Sequence, residues 1–128
     1  MGFLAKLFKN MTATPSFTPA YSEEDELRLR LETIIAEEFS EYELRKEIPA
    51  AEMTSYDGAK DYSYGLYLNG TPKAFIMIME NKNHYMKKEV VLAKQAAEQS
   101  GIPYMNFMPH LPNTPEYISN RLRQNVLR

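Results

Sequence analysis

Cysteine is missing from all 128 residues. That excludes disulfides and thiolate metal sites, fits a reducing compartment, and leaves oxygen atoms as the main source of metal ligands. Long apolar runs are missing too: none nears the roughly 18 residues of a membrane span, and the N-terminus lacks a charged start, long apolar centre and small-residue cleavage site. A cytoplasmic protein with no integral membrane segment is expected. An excess of positive charge is the third absence. With a net charge of −2, the chain is not a strongly basic nucleic-acid binder, because nonspecific affinity comes mainly from Lys and Arg neutralising phosphates. Any contact with DNA must then rely on a local patch or a metal. No internal repeat or low-complexity tract occurs. What remains is a chain with 44% hydrophobic residues, long enough for one domain with a real core and too short for two of usual size.

The stretch from Asp61 to Lys82 organises the rest. Two strand-like runs, Tyr62 to Leu68 and Lys73 to Met79, flank Asn69-Gly70, a dipeptide favoured in tight hairpin turns because both residues tolerate positive φ. The second run is apolar at every position from Ala74 to Met79, as suits a strand covered on both faces, and charge begins at Glu80. Side chains two apart share a face, so Ile76, Ile78, Glu80 and Lys82 point one way and Phe75, Met77, Met79 and Asn81 the other. A two-residue loop sets Asp61 opposite Ile78, and a four-residue loop sets it opposite Glu80. Both registers keep Asp61 on the Glu80 face, where opposed or diagonal Cβ atoms lie roughly 5 to 8 Å apart. Two carboxylates and an ammonium would thus meet at one end of the hairpin. Hard divalent cations such as Mg²⁺ prefer oxygen ligands and take one or two protein carboxylates. A lysine beside them can help activate water and stabilise transition-state charge. The plainer alternative is a surface salt bridge from Glu80 to Lys82, with Asp61 a solvated strand start.

Joined in this order, Asp61, an aromatic-aliphatic strand, Asn69-Gly70, an apolar strand and Glu80-Asn81-Lys82 resemble the restriction-endonuclease-like, or PD-(D/E)XK, nuclease superfamily. Within it, they resemble the amino-terminal nuclease domains of type I restriction subunits. The resemblance covers roughly Glu23 to Phe107. It implies that Asp61 and Glu80 bind Mg²⁺ (or Mn²⁺), that Lys82 is the catalytic lysine, and that DNA is the substrate. Lys60 departs from it, standing where the family often has Pro.

Around the hairpin, Met1 to Asn10 forms a short amphipathic arm with Phe3, Leu4, Leu7 and Phe8 at helical spacing, which suits packing on its own domain, on a second copy or on another protein. Met11 to Tyr21 reads as a linker. Ser22 is an N-cap candidate for a helix from about Glu23 to Phe39, with Leu27, Leu31, Ile34 and Ile35 on one stripe. In the family a glutamate of this helix sometimes reaches the metal, which makes Glu37 and Glu38 candidates beside the reading of solvated acids. Tyr42 to Ile48 is expected to be a partly exposed strand ended by Pro49. Asp57 rivals Asp61 for the acidic role. His84 is a candidate contact to substrate or metal, or a loop bystander. The next helix, about Lys87 to Ser100, is stopped by Gly101 and packs through Val90, Val91, Ala93, Ala96 and Ala97. Lys94 and Gln95 on it are weaker candidates for phosphate contacts. Ile102 to Met108 is expected to be a buried strand parallel to its predecessor. A last helix begins at Thr114-Pro115 with Ile118, Leu122 and Val126 on its apolar stripe and Arg121, Arg123 and Arg128 at its basic end.

The reading is an α/β chain of order α-β-β-β-α-β with a mixed central sheet flanked by helices and a C-terminal helix. An arm and linker occupy 1–21 and a single nuclease-like domain 22–128. The expected function is metal-dependent hydrolysis of DNA phosphodiester bonds. The alternative is a non-catalytic protein-interaction or nucleic-acid-binding module that retains the fold.

Overall fold

A computed structural model describes residues 22–50, 58–81 and 83–126. The arm and linker, Asp57, Lys82 and Arg128 therefore lie outside the described residues. Helix α1 (Glu23–Glu38) is followed by strands β1 (Glu43–Ile48), β2 (Tyr62–Leu68) and β3 (Thr71–Ile78), a 3₁₀ turn (His84–Met86), helix α2 (Lys88–Gln99), strand β4 (Tyr104–Phe107) and helix α3 (Pro115–Val126). The expected order α-β-β-β-α-β-α is the observed one.

The four strands form one sheet in the order β1-β2-β3-β4. Strands β1 to β3 are an antiparallel meander, and β4 returns parallel to β3 after α2. A parallel return needs a crossover, which α2 supplies. Strand β3, apolar and buried from Ala74 onward, is central, whereas β1, with Glu43, Arg45, Lys46 and Glu47, is an edge strand whose charges discourage further pairing.

Side-chain alternation along β3 divides the interior into two layers. Ala74, Ile76 and Ile78 join Leu27, Leu31, Ile34 and Ile35 of α1 and Ile118, Leu122 and Val126 of α3. Phe75, Met77 and Met79 join Val90, Ala93 and Ala97 of α2. Each fully buried aliphatic or aromatic side chain stabilises the fold by about 1.5–3 kcal/mol relative to exposure. Val91, expected to pack, is instead partly exposed at the surface, because it falls off the Val90-Ala93-Ala97 stripe.

The helix ends follow local chemistry. Ser22 and Asp25 form a reciprocal capping box, with Asp25 N donating to Ser22 Oγ at 3.1 Å and Ser22 N to Asp25 Oδ2 at 3.4 Å. Thr114 Oγ1 accepts from Tyr117 N at 3.2 Å, with Pro115 as the first residue of α3. Glu38 is not an acid awaiting a metal: its Oε1 accepts from Ser119 Oγ at 2.5 Å and from Arg123 Nη2 at 2.7 Å, joining α1 to α3. The Ser119 hydrogen bond, and then Arg123, hold the Glu38 carboxyl below the usual carboxylate range. Glu37 is exposed on the same helix.

Candidate functional site

The hairpin turn forms as its sequence requires. Asn69 and Gly70 both have positive φ, 53° and 80°, which is the pattern of a type I′ two-residue loop. Beside this turn Leu68 pairs with Thr71 and Tyr67 with Pro72, but beyond it Leu66 pairs with Ala74 and Tyr64 with Ile76, so Lys73 of β3 is an extra residue opposite the Leu66–Tyr67 step. A second irregularity follows. Tyr62 and Tyr64, two residues apart, belong to opposite layers, and Tyr62 stacks on Phe75 with ring centroids 4.1 Å apart. Between them the Ser63 side chain replaces a main-chain partner, its Oγ accepting from Ile78 N at 3.0 Å.

Both expected registers of Asp61 assumed an unbroken ladder from turn to mouth; each interruption reverses side-chain facing beyond it, so the parity count no longer fixes the face that Asp61 takes. At the mouth, among the described residues, the lysine paired with Glu80 is Lys60, with Nζ 3.6 Å from Glu80 Oε1. Asp61 is exposed just ahead of β2 and is not a member of the cluster that forms there.

That cluster consists of Glu80, His84 and Glu89, whose ligand-type atoms all lie within 4.8 Å of one another. Three pieces of chain supply it: the exit of β3, the 3₁₀ turn and the first turn of α2. A main-chain hydrogen bond from Lys60 N to Glu89 O at 2.9 Å ties the approach to β2 into the same place. His84 is 2% exposed, while Glu80 and Glu89 are 62% and 46% exposed. The imidazole is engaged on both sides. Its Nδ1 accepts from Glu80 N at 3.0 Å, and its Nε2 lies 2.9 Å from Glu89 Oε1. An accepting Nδ1 has no proton, so in the neutral ring the proton resides on Nε2 and is donated to Glu89. The His84 hydrogen bond is the main reason that the Glu89 carboxyl lies below its ordinary range, with Lys60 and Lys87 adding to it.

This tautomer decides how a metal would fit. A ligating histidine needs a free lone pair on one nitrogen and normally donates from the other, whereas His84 has a donor facing Nδ1 and a proton on Nε2. It does not suit a metal as a ligand. The carboxylates of Glu80 and Glu89 do, since they offer the oxygen donors that Mg²⁺ or Mn²⁺ prefers. His84 would then stand behind the two carboxylates rather than on the ion.

Lys94 and Gln95 are placed elsewhere. Both are exposed on α2 and line a groove with Val90, Val91, Glu98, Tyr104 and Asn106, none of which belongs to the Glu80 cluster. Sequence reasoning missed Glu89 and Lys60 as partners of Glu80. A usable signal was the spacing of Glu80, His84 and Glu89, in which a turn and the start of a helix fold back on a strand end.

A scan of protein-family models and searches of curated proteins and of solved structures return no match to this chain. Among the described residues, no helix is long and apolar enough to cross a membrane.

Proposed function

We propose that this chain is a metal-dependent, nuclease-like domain that hydrolyses DNA phosphodiester bonds. The observation that carries the reading is the placement of Glu80: its carboxylate leaves the buried central strand of an α-β-β-β-α-β fold at the end of the sheet where Lys60 and Asp61 lead into β2. Glu80 holds Mg²⁺ or Mn²⁺ with Glu89 beside it in the same cluster, and Asp61, exposed just ahead of β2, adds a further carboxylate. Asp61 precedes the first ladder residue, so the strand pleat does not fix its side chain. A bound divalent ion polarises a phosphoryl oxygen and lowers the pKa of its water. Lys82 orients the attacking water and offsets charge developing on the phosphate. Lys60, now beside Glu80, is released to the phosphate backbone when an ion takes its place. The restriction-endonuclease-like resemblance supports the same roles for Asp61, Glu80 and Lys82.

The test is nicking of supercoiled DNA with and without Mn²⁺. The wild type is expected to nick only with the ion. Glu80→Gln, Asp61→Asn and Lys82→Ala are each expected to lower the rate by about 10²-fold or more with an unchanged melting curve. Equal rates in the wild type and Lys82→Ala overturn the reading.

A second reading is favoured by the Lys60–Glu80 ion pair at 3.6 Å, which neutralises the strand-end carboxylate without an ion. On that reading the chain is a non-catalytic interaction module on the same fold. It predicts that millimolar Mn²⁺ leaves the melting temperature unshifted, since only a ligand that binds the folded state stabilises it.

A further inference from the structure

Glu80 lies beyond the last residue of β3. The preceding residue, Met79, still donates its N–H to Phe107 O at 3.0 Å, but Glu80 N instead donates to the His84 ring. The ring is itself held firmly. His84 N donates to Asn81 O at 3.1 Å, Lys87 N donates to His84 O at 2.9 Å, and Asn83 N donates to Asn81 Oδ1 at 2.9 Å. Its far nitrogen is anchored on Glu89 of α2. An imidazole with 2% exposure therefore does for Glu80 what a neighbouring strand does for a residue inside a sheet.

We propose that His84 is a positioning residue for the metal seat, tying the main chain of Glu80 to α2 so that the Glu80 carboxylate is already in place when a divalent ion arrives. The inference rests on the nuclease-like reading and adds to it the group that preorganises the ligand. The ring acts through the Glu80 amide and does not touch the ion. Outer partners of metal ligands typically alter metal affinity 10–100-fold when removed, because a ligand held in its bound geometry loses less freedom on binding.

The two ring nitrogens can be separated by substitution. Asparagine sets an amide close to the position of Nδ1, and glutamine sets one close to Nε2. Mn²⁺ affinity, read from the free-ion spin-resonance signal, and hydrogen exchange at the Glu80 amide are measured on the full chain. His84→Ala is expected to weaken Mn²⁺ binding roughly 10–100-fold and to speed exchange at Glu80. His84→Asn is expected to restore both, and His84→Gln neither. A folded His84→Ala that binds Mn²⁺ as tightly as the wild type overturns the proposal while leaving the nuclease-like reading intact. Rescue by glutamine and not asparagine overturns it in favour of action through Glu89, and unfolding of all three variants overturns it in favour of packing. A wild type that binds no Mn²⁺ overturns both the proposal and the reading beneath it.

Discussion

The two ends of the β2–β3 hairpin are built by different physics. At the turn, two adjacent residues with positive φ, Asn69 and Gly70, reverse the chain by themselves. At the mouth, the pairs that hold the chain are 15, 4 and 5 residues apart: Ser63 supplies Ile78 N with an acceptor, His84 supplies Glu80 N with another, and Glu89 anchors the ring. Local conformational preference is enough for the first end. The second needs hydrogen bonds from side chains on three separate elements, β2, the 3₁₀ turn and α2.

The sharpest way to break this contrast is Ser63→Ala. The hydroxyl partner of a buried main-chain N–H would vanish without a replacement, and an unsatisfied buried donor costs about 1–3 kcal/mol. Chemical denaturation is expected to show that loss for Ser63→Ala, and faster amide exchange at Ile78. A loss below a few tenths of a kcal/mol would mean that the mouth does not depend on its side-chain partners. Gly70→Ala probes the other end. A Cβ there meets no atom within 4 Å, so its only cost is the positive φ, about 1–2 kcal/mol for an L-residue in that region. The expected loss is smaller than that of Ser63→Ala and leaves exchange at Ile78 and Glu80 unchanged.

The same contrast explains what the sequence disclosed. Element order, the N-cap at Ser22, the I′ turn and the two faces of β3 rest on neighbouring residues or on simple periodicity, and each was readable. The site was readable only in part. Glu80 marks where apolar sequence stops, but its partners depend on two interruptions of the β2–β3 ladder. One is the extra residue Lys73 opposite the Leu66–Tyr67 step and the other lies beside Ser63, where Tyr62, stacked on Phe75, is out of alternation with Tyr64. Gly65 shows how tightly this face is packed: a Cβ at that position would stand 2.7 Å from Tyr67 Cε1 and 3.3 Å from Phe75 Cε1, so the aromatic cluster leaves no room for a side chain there. A parity count carried from Asn69-Gly70 to Asp61 could not register a packing demand imposed by Tyr67, Phe75 and Tyr62.

The smallest expected effect sharpens the comparison through pH. Glu89 has a depressed carboxyl pKa, chiefly from the His84 hydrogen bond and then from Lys60 and Lys87. A carboxylate with a lower pKa in the folded than in the unfolded chain stabilises the fold above its ordinary value of 4.5, and this contribution is lost as pH falls through the folded value. Because the side chain is 46% exposed, solvent screening limits the effect to a few tenths of a kcal/mol. Stability measured from pH 7 downward in the wild type, Glu89→Gln and Gly70→Ala separates the two ends. Glu89→Gln is expected to flatten the acid limb, since its amide does not titrate, while Gly70→Ala lowers the whole curve in parallel. A Glu89→Gln curve parallel to the wild type would show that the His84–Glu89 bond contributes nothing to the mouth, and the turn would then be the only end of the hairpin whose stabilising chemistry is local and fixed.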